Sequence, residues 1–247
     1  MDNELVLKIG TWNVEYGRGA EKNVKRLGLI LAPKADVWVL TETHDDLDLS
    51  PEYTSVTTTP RFSRDPGGRW TTIWTKRRIV QQIETRDPAR TLAISVQVAG
   101  RIVVIYGTVL PWQHDAGPSG QAPGWTEFAR VAPLQGEEWA SLRAEHADAV
   151  VIVAGDFNQN LGGRHYYGTK KGRALLRCQL AGADLVCVSD ADQMAPGTLV
   201  NPPIDHACVG VPDGSHLTSR IVTGWEGQQD GVRLSDHSAI VAEMTLR

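Results

Sequence analysis

Cysteine is scarce in this chain. Cys178, Cys187 and Cys208 are the three in 247 residues, an odd number with no CxxC pair and no Cys/His spacing suited to zinc. Each lies in an apolar stretch (LLRCQLA, LVCVS, HACVG), which predicts small buried side chains and excludes a disulfide framework. Long hydrophobic runs are missing too, since none approaches the ~20 apolar residues needed to cross a bilayer. The first residues, MDNELVLKIG, are acidic and pass straight into strand-like alternation, without the basic and apolar regions of a signal peptide. No GxSxG elbow is present, so a serine hydrolase would lack its nucleophile. Internal repeats and low-complexity tracts are absent as well. Together these absences predict a soluble protein of the reduced cytoplasm, with no membrane span and no evident obligate protein partner.

What the chain does have is enough apolar material for a core. Hydrophobic residues make up 41% and charged residues 22%, which excludes fibrous and disordered classes. The length suits one domain over residues 1–247. Net charge is −4, but it is unevenly spread. Residues 1–60 carry 6 Lys/Arg against 10 Asp/Glu, residues 61–90 carry 8 against 3, and residues 158–177 carry 5 basic residues and no acid. Basic segments beside an acidic site can recruit a polyanion despite the overall sign.

Short β-type runs dominate: 5–14, 36–42, 69–76, 91–98, 101–110, 149–158, 183–189, 204–210, 219–225 and 238–246. Ala99-Gly100, between two alternating runs, predicts a tight hairpin. Helical patterns are fewer. Residues 21–32 place Val24, Leu27, Ile30 and Leu31 on one face before Pro33, and 137–147 and 171–181 are the other two. Residues 111–136, rich in proline and glycine, predict a long loop with a short helix inside. Because most strands follow one another directly, the fold class expected is α/β of the α+β kind. Two packed, mainly antiparallel sheets would be flanked by helices.

Five polar groups stand where strands end. Strand one closes on Trp12-Asn13, strand two on Thr41-Glu42-Thr43, and VVIVAG empties into Asp156-Phe157-Asn158. IDHACVG opens with Asp205, and Ser235-Asp236-His237 precedes the last strand. Singly, each suits a turn or cap. Jointly they offer carboxylate and amide oxygens, a donor set for Mg²⁺ or Mn²⁺ with too few soft ligands for zinc. His237 adds a group able to hold a proton near neutral pH, and a carboxylate beside it would favour the imidazolium. That inventory fits attack of water on a phosphate ester.

The ordered motifs TWNV (11–14), LTET (40–43), AGDFN (154–158), IDHACV (204–209) and LSDHSAI (234–240) resemble the endonuclease/exonuclease/phosphatase superfamily, with its deoxyribonuclease-I-like fold. The resemblance implies a four-layer α/β sandwich with its site at one end of the paired sheets, and Mg²⁺- or Mn²⁺-dependent hydrolysis of phosphate esters. By motif it implies Glu42 as the principal metal ligand, with Asn13 and Asp236 nearby. Asp156 and Asn158 would hold and activate the water or touch the phosphate. His237 would bind the phosphate and share in proton transfer, oriented by Asp205. The chain departs from the family after the central strand. Where a His or Tyr often faces the leaving group, YGTVLPWQH offers Thr108, with Tyr106 two residues earlier as a substitute.

Substrate contacts are expected from Trp112 and Trp125 in the long loop, and from Arg164, Tyr166 and Lys170 in RHYYGTKKGR, which interleaves tyrosines with cations. The Gly163–Lys170 stretch reads GTK and not GK[ST], so a nucleotide-cradling loop is not expected. KRR (76–78) suits an exposed hairpin end, and Trp12, Trp38 and Trp74 suit the core. The leading expectation is a nuclease acting on DNA or RNA. A phosphoesterase on a small molecule, favoured by the net charge, and a non-catalytic binding protein are the alternatives.

Overall fold

The structure is a computed structural model that describes residues 4–247; the first three residues of the acidic N-terminal stretch lie outside the described residues. In chain order the elements are β1 (Leu5–Asn13), α1 (Ala20–Leu31), β2 (Val37–His44), β3 (Thr54–Thr57), β4 (Pro60–Phe62), β5 (Asp65–Thr75), β6 (Ile79–Ile83), β7 (Leu92–Val98), β8 (Arg101–Val109), α2 (Thr126–Glu145), β9 (Val150–Asp156), α3 (Lys170–Gly182), β10 (Val186–Cys187), β11 (Asp205–Gly210), β12 (Leu217–Trp225), β13 (Gln228–Gln229), β14 (Val232–Arg233) and β15 (Ala239–Leu246).

Among the described residues the strands form two large sheets, ordered β12-β15-β1-β2-β5-β3 with β4 also on β5, and β10-β11-β9-β8-β7-β6, while β13 and β14 pair apart from them. Two pairs are parallel, β1 with β2 and β8 with β9. Each is bridged by a helix, α1 or α2, as a parallel crossover requires. The rest pair antiparallel, including the β7–β8 hairpin, whose Ala99 (φ 50°) and Gly100 (φ 82°) take the left-handed backbone of a primed turn.

Alternation within the strands divides the apolar side chains among layers. Leu7, Ile9, Val39 and Ile73 of one sheet meet Ile94, Val103, Ile105 and Ile152 of the other in the central core. On the outer face of the first sheet, Trp12, Trp38 and Leu40 pack under Ile30 of α1. On the outer face of the second, Tyr106, Val153 and Phe157 pack under Trp139 of α2 and Leu176 and Leu180 of α3. The resulting four layers are the sandwich expected from the resemblance. Burial on both faces explains why β9 reads as an unbroken apolar run, and each fully buried aliphatic chain contributes roughly 1.5–3 kcal/mol.

Four local expectations need correction. Val24 of α1 is 70% exposed, and the inward face runs through Asn23, Arg26, Leu27 and Ile30 instead. The face is rotated because buried Arg26 gives its guanidinium to the carbonyls of Leu234 and Arg18 and to Asn23 Oδ1. Helix α2 starts at Thr126, well before residue 137, and carries Pro133 inside it. Gly136 there lets α3 approach, since a Cβ would meet the Gln179 side chain at 2.3 Å. Cys178 is exposed, because α3 turns Leu176 and Leu180 inward and leaves the position between them outside. The 183–189 run forms regular strand only at Val186–Cys187. KRR (76–78) is exposed as expected, and Trp12, Trp38 and Trp74 are buried.

Candidate active site

Parallel pairing sets Asn13 beside Thr41, so the ends of β1 and β2 carry Asn13 and Glu42 together. In the other sheet, antiparallel pairing sets Asp205 directly opposite Asp156. The sheets pack face to face along β1, β9 and β11, which brings the four residues to one end of the sandwich. Glu42 (φ 50°) and Asn158 (φ 51°) both take left-handed backbone, strain of the sort that clusters at functional sites. Gly155 (φ 138°) sits where a Cβ would lie 2.0 Å from the Thr108 carbonyl, so only glycine lets β9 run on to Asp156.

The side chains form one hydrogen-bonded network. Asn13 Nδ2 donates to Glu42 Oε1 (3.2 Å) and to Asp156 Oδ2 (3.1 Å). The backbone N–H of Asn13 donates to Asp205 Oδ1 at 2.9 Å, and Asp205 Oδ2 lies 2.5 Å from His237 Nδ1. His237 Nε2 is left facing Asp156 Oδ2 and Asp236 Oδ1, each at 3.9 Å. Asn158 donates its backbone N–H to Asp156 Oδ1 and its amide to the Leu110 carbonyl.

Apolar anchors hold these groups in place. Phe157 stacks on Trp139 at 6.0 Å, which pins Asp156 and Asn158 on either side of it. Trp12 Nε1 donates to the His237 carbonyl at 3.0 Å. Ser235 Oγ donates to the Asn13 carbonyl and accepts from the His237 N–H, tying the last motif to the first.

Electrostatics follow from burial. Asp156 is pushed up to about 7, first by burial and then by Asp205, against the opposing pull of His237. Burial disfavours a charged His237, but Asp205 and Asp156 outweigh it and raise its pKa to about 10. At neutral pH the site therefore holds an imidazolium oriented by Asp205.

The expected residues divide into two groups. Asn13, Glu42, Asp156, Asn158, Asp205 and His237 come together, with Asp236 on the rim, its side chain 55% exposed. The Asn13 Oδ1 accepts the Glu15 N–H, and its amide nitrogen aligns the two carboxylates of Glu42 and Asp156. Tyr106 and Thr108 are not at the site. Both are fully buried on the helix face, where Tyr106 donates to Glu138 and Thr108 to Gln135. They share a strand face, and that face is turned toward α2.

Tyr166 lines a cleft of about 310 Å³ with Asp236 and His237. Arg164 lines a neighbouring groove that shares residues 200–203 with that cleft, and it donates to Asn201 Oδ1. Lys170 is exposed at the start of α3, and Trp125 is half-buried against Phe128 and Tyr167. Trp112 is half-buried against Trp70.

Arg61 went unrecognised in the sequence. Its side chain is 7% exposed, donates to Glu42 Oε2 at 3.1 Å and lies 3.7 Å above the Trp70 ring. Tyr16 and Phe62, both exposed, flank the same guanidinium. The basic bias of 61–90 signalled a cationic segment, but no motif marked Arg61 within it.

The pattern of the Endonuclease/Exonuclease/phosphatase family matches residues 10–237. The chain belongs to that family. No curated protein matches it significantly in sequence. Among solved structures, the human nocturnin catalytic domain with bound sulfate superposes at TM-score 0.68 and 16% identity, covering 98% of this chain and 94% of that one. The AP endonuclease LMAP from Leishmania major gives 0.67 and 19%, covering 97% and 88%. D. rerio TDP2 complexed with a single-strand DNA product gives 0.62 and 17%, covering all of both chains. At these identities the likeness establishes the fold, and this family member's chemistry rests on its own residues.

Proposed function

We propose that this protein is a Mg²⁺- or Mn²⁺-dependent phosphoesterase that hydrolyses phosphodiester bonds in nucleic acid. The observation that carries the reading is the network in which Asn13 holds Glu42 and Asp156 together beside an Asp205-oriented His237. A donor set of carboxylates suits a hard divalent cation, and burial raises Asp156 to about 7 in spite of His237, so added positive charge there would favour its carboxylate. Glu42 would hold the cation, with Asp156 and Asp236 flanking it. When bound, the ion supplies charge neutralisation at the phosphate.

The chain's own groups do the rest. The imidazolium of His237 presents Nε2–H to a phosphate oxygen, while Asp205 fixes the ring through Nδ1. Asp156, titrating near neutrality, is suited to take a proton from the attacking water, and the Asn158 N–H holds its other oxygen in place. The His237–Tyr166 cleft and the neighbouring Arg164 groove, which share residues 200–203, suit an extended substrate, and similarity to proteins described as an AP endonuclease and a DNA-product complex supports nucleic acid. Two observations favour a small phosphoester instead: Arg164 is engaged with Asn201, and the net charge is −4.

The test is a panel of labelled DNA, RNA, abasic DNA and small phosphoesters with Mg²⁺ or Mn²⁺, before and after EDTA. Metal-dependent cleavage of an oligonucleotide supports the reading. Turnover of small phosphoesters alone replaces it with the second one, and turnover undiminished by EDTA overturns the metal site.

A further inference from the structure

On the helix side of the second sheet, away from the site above, two strands oppose a set of reactive side chains. Strand β10 pairs antiparallel with β11, setting Cys187 directly against Cys208. The next pair is tied by the Val188 N–H to the Ala207 carbonyl, which makes Cys187 and Cys208 a non-hydrogen-bonded pair. Such pairs hold their Cα atoms about 4.5 Å apart, inside the disulfide range of about 4.4–6.8 Å. Both thiols sit on the face covered by α2 and α3, so their side chains are on the same side of the sheet.

Their surroundings differ. Cys208 is fully buried, whereas Cys187 is partly exposed and lines a cleft of about 360 Å³ together with Arg177 and Arg220. His206 Nδ1 lies 3.6 Å from the Cys187 sulfur, and Ser189 Oγ is 3.6 Å from that sulfur and 3.1 Å from Nδ1. His206 Nε2 faces the Gln159 carbonyl at 3.0 Å, which keeps a proton on Nε2 and turns Nδ1 toward the thiol.

We infer that Cys187 and Cys208 form a peroxide-oxidisable pair, with Cys187 the attacking thiol and Cys208 the resolving one. The Cys187 thiolate attacks the peroxide O–O bond, takes one oxygen as sulfenic acid and releases hydroxide, which picks up the thiol's former proton to become water. The Cys208 sulfur then attacks the sulfenic sulfur and displaces its hydroxyl, which leaves as water with the Cys208 proton. In total, two thiols and one hydrogen peroxide give one disulfide and two waters.

The protonation pattern agrees with this division of roles. Burial opposes ionisation of Cys187, but hydrogen bonds from Cys208, His206 and Ser189 and the charge of His206 outweigh it and lower its pKa well below the usual range. Burial and the neighbouring Cys187 hold Cys208 well above it, so Cys208 keeps its proton.

The inference is independent of the phosphoesterase reading, and its readout is mass and not turnover. Full-length protein carrying Cys178→Ser, which removes the exposed thiol, is exposed to hydrogen peroxide and mapped by mass spectrometry. The expected product has lost two hydrogens, joins the Cys187 and Cys208 peptides, and reverts with dithiothreitol. Adding Cys208→Ala should stop oxidation at a Cys187 sulfenic acid that dimedone traps, and His206→Gln should slow alkylation of Cys187 by iodoacetamide at least tenfold. Thiols that stay reduced, oxygen added to Cys187 with Cys208 present but no cross-link, or His206→Gln alkylated at the unaltered rate would each overturn it.

Discussion

Replacing Asp205 by Asn preserves the shape of the side chain and removes the main charge that holds the His237 proton. Burial works against that proton, but the carboxylates raise His237 from 6.5 to about 10. A group with a raised pKa binds its proton in the folded state after the unfolded chain has released it. Its contribution to stability is therefore complete below about pH 6.5 and is lost as pH climbs toward about 10. Across that window the metal-free protein should lose about 1.4 kcal/mol per pH unit from this group. The His237 and Asp205 side chains are 11% and 0% exposed, so solvent screening takes little from the effect. Asp156, raised to about 7, adds its own loss at lower pH, which places the useful window above neutrality. Urea unfolding in EDTA at about pH 7 and about pH 8.5 should show wild-type stability falling by about 2 kcal/mol, and that of Asp205→Asn by less than about 1 kcal/mol. Groups elsewhere titrate alike in both proteins and cancel. Parallel stability curves would refute the pairing.

Glu42→Gln keeps size and removes charge, so it should cost phosphoesterase activity by on the order of 100-fold or more and weaken Mg²⁺ binding in calorimetry, with the fold retained. Arg61→Met keeps bulk over Trp70 but leaves Glu42 without its partner. It should destabilise the metal-free protein by about 1–3 kcal/mol and the Mg²⁺-saturated protein by less, because the ion replaces the lost charge; equal losses in thermal unfolding would contradict this. Changing Arg164, Lys170 and Lys171 together to Gln should reduce oligonucleotide cleavage and flatten its salt dependence by about 0.7–0.9 log unit per lost phosphate contact, leaving small phosphodiesters unaffected. Unchanged slopes would favour the small-molecule substrate.

The sandwich was legible where burial is high. Strands β1, β2, β5, β7, β8, β9, β11 and β15 correspond to apolar runs in the sequence, because a strand largely covered on both faces is apolar along most of its length. The edge strand β12 is half-exposed and shows only in a short run, 219–225. The strands not foreseen, β3, β4, β6, β13 and β14, are short and largely exposed, so nothing in TSVT or PRF separates them from loop. The sequence alone suggests a shorter helix than α2, because proline and glycine between 111 and 136 mask its buried Phe128, Val131 and Ala132. Tertiary packing against α3 and the second sheet overrides propensity there.

The site shows the same division at finer scale. Asn13, Glu42, Asp156, Asp205 and His237 stood out because each interrupts or borders an apolar run at a strand end, and strand ends converge once two sheets pack face to face. Thr108 and Tyr106 stood at an equivalent distance along β8, but strand parity alone does not say which face meets the site. The sheet's outer face belongs to α2, and Gln135 and Glu138 claim both hydroxyls. Arg61 is the converse case. It lies on the short strand β4, and its position depends on pairing across β5 and on an ion pair with Glu42, nineteen residues away. Neither relation leaves a period or a motif in the chain. A cation placed by two long-range contacts is recovered only when the register is known, and the register here places it against the carboxylate expected to hold the metal.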